Sequence, residues 1–165
     1  MLRKALIIFT LLITTTTMYS NPMSIDYAEI TNRVNKIRRS VGAMSIESNI
    51  DLVNLAKLQV EAMIEQDKTA HNLAPESEKR ELKLKLSETF NGNKSYVTIR
   101  IWELYATLYV NPSIKGEVII PHVYDTSSRH FSVLTDINAE AMGWYVEEKD
   151  GLYWISTYVL MRYYQ

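Results

Sequence analysis

From Ile25 onward the apolar residues Ile25, Ile30, Val34, Ile37 and Val41 recur at helical spacing, with Asn32, Arg33, Lys36 and Arg39 between them. Such spacing winds one apolar stripe along an amphipathic helix, and Gly42 ends it. A second stripe runs through Leu52, Leu55, Ala56, Gln59, Val60, Met63 and Ile64 to Asp67 and Lys68, with Ser48 or Asn49 as its cap. Pro75 interrupts the chain, and Glu76 to Leu86 alternates charge signs in the manner of a short solvated helix. From about Tyr96 to Tyr109 the positions Val97, Ile101, Leu104, Tyr105 and Leu108 predict a further helix, stopped by Asn111 and Pro112.

Beyond Pro112 the period changes. Residues 113 to 128, with Gly116, Pro121 and a polar cluster from Asp125 to Ser128, read as an irregular connection carrying a short strand at Val118 to Ile120. His130 to Leu134, Ala141 to Glu147 and Leu152 to Met161 read as strands, the last two joined by a turn at Lys149, Asp150 and Gly151. In the final strand one face carries Leu152, Trp154, Ser156, Tyr158 and Leu160, the other Tyr153, Ile155, Thr157, Val159 and Met161. Neither face is charged, which is the mark of a central strand covered on both sides. Helices first and antiparallel strands after predict an α+β fold, a three-layer α-β-α sandwich with a central antiparallel sheet.

The first 20 residues stand apart. Arg3 and Lys4 precede an apolar run from Ala5 to Ile13, a Thr-rich stretch follows, and small residues lie near Ser20. This is the pattern of a secretory signal peptide, and the run is too short to serve as a membrane span of roughly 20 residues. The expected organisation is a signal at residues 1–20 and one domain over 21–165, exported to the periplasm or secreted, with no transmembrane anchor once processed. Cleavage removes Arg3 and Lys4 and no acid, which takes the net charge of -1 two units further negative. Basic residues are dispersed, so nucleic acid is not an expected partner. The absence of cysteine excludes a thiol nucleophile, a cysteine zinc site and an iron-sulfur cluster.

The residues Val34-Asn35, Arg38, Gly42 and Ile46, then Leu52, Ala56 and His71, resemble the opening of the CAP superfamily, which includes cysteine-rich secretory proteins, antigen 5, pathogenesis-related class 1 proteins and bacterial SCP-like domains. Ser87-Glu88-Thr89 resembles the family's Gly-Glu-Asn element, Trp102 the Trp of its third helix, His130-Phe131-Ser132-Val133-Leu134 its His-Phe-Thr motif, and Met142-Gly143-Trp144 the strand that follows. The likeness, to the cysteine-free bacterial type, implies an α-β-α sandwich.

It also implies a cleft in which two His and two acids hold a divalent cation such as zinc. His71, Glu88 and His130 fall on three of those positions; the fourth acid is replaced by Tyr105, while Glu103 sits one residue after Trp102 and so points elsewhere on a helix. The expected metal ligands are His71 and His130, with Glu88 in support. The departures include Arg129 in place of the glycine before His130, and His122 and Asp125 near the cleft rim. Two functions follow. One is a binding module for a small apolar ligand, an envelope component or a protein or lipid partner, with metal optional. The other is a metal-dependent or serine-type hydrolase using His71, Glu88 and His130, with Ser87 or Ser132 nearby; no nucleophile elbow or zinc-protease helix supports it. The binding module is the preferred reading.

Overall fold

A computed structural model describes residues 25–91, 97–109 and 127–164. The expected signal segment, the connection through residues 110–126 with its short strand, and His122 and Asp125 lie outside them. Four helices and four strands are described: α1 (Tyr27–Ser40), β1 (Glu47–Ser48), α2 (Ile50–Glu65), α3 (Glu76–Asn91), β2 (Val97–Tyr109), α4 (Ser128–Thr135), β3 (Ala139–Lys149) and β4 (Leu152–Tyr164). The strand order is β1-β3-β4-β2. The three long strands are antiparallel, and the two-residue β1 runs parallel to β3, so the sheet is mixed.

β4 is the central strand, and both faces of it are buried. Tyr153, Ile155, Val159 and Met161 pack with Ile30 and Val34 of α1 and Val133 and Leu134 of α4. Tyr158 and Leu160 pack with Leu52, Leu55 and Ala56 of α2 and Leu86 of α3, while Trp154, 5% exposed, meets Val60 and Met63. Helices therefore cover both faces of the sheet, and the three layers follow from the two apolar faces of one strand. At the β3–β4 hairpin, Asp150 (φ 54°) and Gly151 (φ 76°) take the left-handed backbone that this tight turn requires.

Two elements differ from the sequence expectation. Val97–Tyr109 is a strand, not a helix, paired along its whole length with β4 from Val97–Tyr164 to Tyr109–Leu152. Its apolar residues satisfy both periods. The β-branched Val97, Thr98, Ile99, Ile101 and Thr107 with Trp102 and Tyr105 favour the pleated form, and a central β4 needs a second neighbour, which among the described residues this segment supplies. Conversely, His130 to Leu134 is helical. Ser127 accepts from the Arg129 amide at 3.1 Å and starts α4, which puts Val133 and Leu134 into the core together. In a strand these adjacent residues would face opposite ways.

Other local choices agree with the sequence. Asp26 caps α1 by accepting from the Ala28 and Glu29 amides, and Asn49 caps α2 by accepting from those of Asp51 and Leu52. α3 extends the expected short helix to Asn91 and takes in Ser87, Glu88 and Thr89.

Candidate functional site

The segment that follows α2 is tied down by one fully buried side chain. Gln59 donates to the Ala70 carbonyl at 2.7 Å and accepts from the Leu73 and Ala74 amides at 3.1 Å each. A glutamine buried without partners would be costly, so here it fixes the backbone on both sides of His71. Asn72 takes a left-handed φ of 58°, and its Oδ1 accepts from the buried Lys79 at 3.5 Å; Lys79 in turn pairs with Glu76 at 2.6 Å.

This turn sets His71 against Glu103. The imidazole Nδ1 lies 3.2 Å from Glu103 Oε1, and the Asn72 amide donates to both oxygens at 3.3 and 3.4 Å. The other side of the carboxylate, Oε2, accepts from Tyr158 Oη at 2.7 Å. The Glu103 side chain is 8% exposed while His71 is 53% exposed, so the acid is an internal anchor and the imidazole its outward end. Against a carboxylate, Nδ1 carries the hydrogen and Nε2 is left for other partners. Burial first, then the Glu103 charge, push the Tyr158 phenol well above the ordinary tyrosine range, so it stays a donor. Tyr105, standing where an acid was expected, packs edge-on against His71 with ring centroids 4.4 Å apart.

His130 and Arg129 come from the first turn of α4, on the far side of β2. The Arg129 guanidinium lies over the Trp102 ring at 5.3 Å. One cavity of about 310 Å³ is lined by His71 and Asn72 from the loop, Ile101 to Leu104 from β2, and Arg129 and His130 from α4. It lies along β2, the last strand of the sheet among the described residues, and is lined by side chains from both faces of it.

The two histidines named from sequence thus line one cavity. Glu88 does not join them: it is an exposed residue of α3. Glu103, set aside on a helical reading, is the acid that holds His71, because on a strand it points to the opposite face from Trp102. Tyr158, Asn72 and Arg129 were not among the expected site residues. The alternation of β4 puts Tyr158 on one face with Trp154 and Leu160, a signal for its burial but not for its partner. The Ser132 hydroxyl donates to the Arg129 carbonyl within its own helix at 2.9 Å.

The described donors are not grouped to share a divalent cation. Both Glu103 oxygens are already hydrogen-bonded, and among the described residues no three His, Asp or Glu side chains are grouped to share an ion. The described residues do not make up a chelating site of the kind a structural or catalytic zinc needs. Among them, no helix is long and apolar enough to cross a membrane.

No protein-family model matches the chain, and no curated protein matches its sequence. Solved structures do resemble it. An outer surface protein of Borrelia burgdorferi aligns at 14% identity over 84% of this chain and 97% of its own, with a TM-score of 0.58. An extracellular protein containing a SCP domain from Bacillus anthracis aligns at 14% identity over 81% of this chain, with a TM-score of 0.51; the chain spans 39% of that protein.

Proposed function

We propose that the chain, whose fold is CAP-like as the resemblance in the sequence implied, is an exported binding module whose cleft along β2 receives a small ligand or a group on an envelope component or partner. The observation that carries this reading is the arrangement of His71 on Glu103. A buried carboxylate, with each oxygen engaged, holds an outward imidazole in one orientation in a cavity of mixed polar and apolar lining, and a polar group fixed in this way is what orients a ligand in a binding site. Export is supported by the charged start and apolar run of residues 3–13 and by likeness to proteins described as extracellular or outer-surface.

Ligand screening by amide NMR tests the reading. Bound compounds should shift resonances of residues 71–72, 101–104 and 129–130 as one group, and His71→Ala and His130→Ala should each weaken binding while Glu88→Ala does not. Shifts confined to another surface would overturn it.

A hydrolase is the second reading, and one observation favours it: a histidine held through Nδ1 by a buried carboxylate presents Nε2 as a general base. Turnover of a chromogenic ester that is lost in both His71→Ala and Glu103→Gln would establish it over simple binding.

A further inference from the structure

We infer that the group recognised in this cleft is a phosphate carried on a small apolar body, an inference that rests on the binding-module reading. The described residues offer the cavity donors from two directions. From the α4 side comes Arg129, which makes no ion pair among the described residues and lies over Trp102 at 5.3 Å. A guanidinium stacked on an indole has already lost much of its rotamer freedom, so less is lost when it meets an anion. From the α2 side come His71, whose Nδ1 is fixed on Glu103 and whose Nε2 donates when the ring is the imidazolium, and Asn72, whose Oδ1 faces Lys79, which leaves its amide hydrogens as donors.

The acid among the described lining residues, Glu103, is not an anion-repelling group of ordinary strength. Its charge is met by hydrogen bonds from Tyr158 and the Asn72 amide as well as His71. The remaining charge among those residues is positive. A carboxylate can be satisfied by a single guanidinium fork, which would leave the His71 side unused. A phosphate monoester offers three terminal oxygens and close to two negative charges, so it can be held by Arg129 on one side and by His71 and Asn72 on the other. The partly exposed Ile101 and Trp102 supply apolar surface for the attached body, and about 310 Å³ suits a compact ligand. The phosphate can belong to a soluble metabolite or to a lipid head group.

Calorimetry with phenyl phosphate, inorganic phosphate and phenol, together with sedimentation on phosphatidylcholine vesicles with and without phosphatidic acid, tests this. Phenyl phosphate should bind at least about tenfold more tightly than phenol, and Arg129→Ala should remove most of that difference, as expected for a charge-assisted bidentate contact. Arg129→Lys should restore only part of it. Arg129 is exposed, so thermal unfolding of Arg129→Ala should match the parent and separate lost binding from lost fold. Vesicle binding that needs phosphatidic acid and Arg129 assigns the head-group source; phenyl phosphate binding without it assigns the soluble one. Phenol binding as tightly as phenyl phosphate, with shifts still in the cleft, would overturn the phosphate inference and leave the module reading standing. No cleft response to any of these probes, together with a failed general ligand screen, would overturn both.

Discussion

Gly143 of β3 lies so close to Leu52 of α2 that a Cβ on the glycine would stand 2.2 Å from the Leu52 carbonyl carbon, and equally close to the Val53 amide nitrogen. These are backbone atoms in the first turn of a packed helix, so no side-chain rotation relieves the clash. Gly143→Ala should therefore push α2 off the sheet and cost about 3 kcal/mol or more, the upper end for overpacking. Urea denaturation should show the loss as a lower midpoint. Because Gln59 rides on the same helix, the His71 turn should loosen too, with faster amide exchange at residues 70–74.

Gln59 allows a more local test of how the cleft is built. Gln59→Ala leaves the Leu73 and Ala74 amides and the Ala70 carbonyl without their partner, at a cost of about 2 to 4 kcal/mol for buried polar groups left unpaired. Hydrogen exchange at Leu73 and Ala74 should accelerate far more than in α1. Unchanged exchange there would mean that the turn is held by something else.

Much of this was legible from the chain. The apolar stripes of α1 and α2 and the two uncharged faces of β4 lead directly to three layers, since a strand apolar on both sides must be covered twice. Asn35 and Arg38 were visible as a pattern but not as devices. Asn35 pairs with both backbone groups of Ile46 at 2.8 Å, and the fully buried Arg38 donates to the carbonyls of Met44, Leu134, Asp136 and Ala139. Those of Leu134, Asp136 and Ala139 lie far along the chain, beyond the reach of any local rule. The helical reading of Val97 to Tyr109 failed because its apolar positions fit both periods, and only the need of β4 for a neighbour decides between them. That one error hid Glu103: on a helix it turns away, on a strand it meets His71. Glu88 was the converse case, a carboxylate whose neighbours in sequence looked right and whose helix points it to solvent.

The weak donor set predicts how zinc behaves. With Glu103 engaged by Tyr158, Asn72 and His71, the parent should bind zinc only weakly, since a three-ligand site would first have to break those bonds. Tyr105 lies against His71 on the same face of β2, so Tyr105→Glu places an uncommitted carboxylate beside the imidazole. Calorimetry should show tighter zinc binding by Tyr105→Glu than by the parent, and none in either background once His71→Ala is added. Equal affinity in all of them would show that zinc binds elsewhere.

The bond from Tyr158 to Glu103 should set the alkaline limit of the fold. Burial, then the charge and hydrogen bond of Glu103, raise the Tyr158 phenol, and burial raises Tyr27 in the same direction. In the unfolded chain a tyrosine ionises near pH 10, so above that pH the unfolded state releases protons that the folded state keeps. Stability from these phenols is thus fully present below about pH 10 and falls as the pH rises beyond it. Tyr158→Phe removes one such proton and should flatten the alkaline fall in unfolding free energy, leaving the part due to Tyr27, Tyr145 and Tyr153, whose phenols burial also raises. At neutral pH the same change should cost about 1.5 to 3 kcal/mol, the range for a hydrogen bond to a charged group. It should also leave Glu103 Oε2 with the Asn72 amide but without its shorter bond, and broaden the His71 resonances. Urea unfolding of parent and variant from pH 7 to 11 measures both effects, and parallel curves across that range would show that the Tyr158 phenol ionises as freely folded as unfolded.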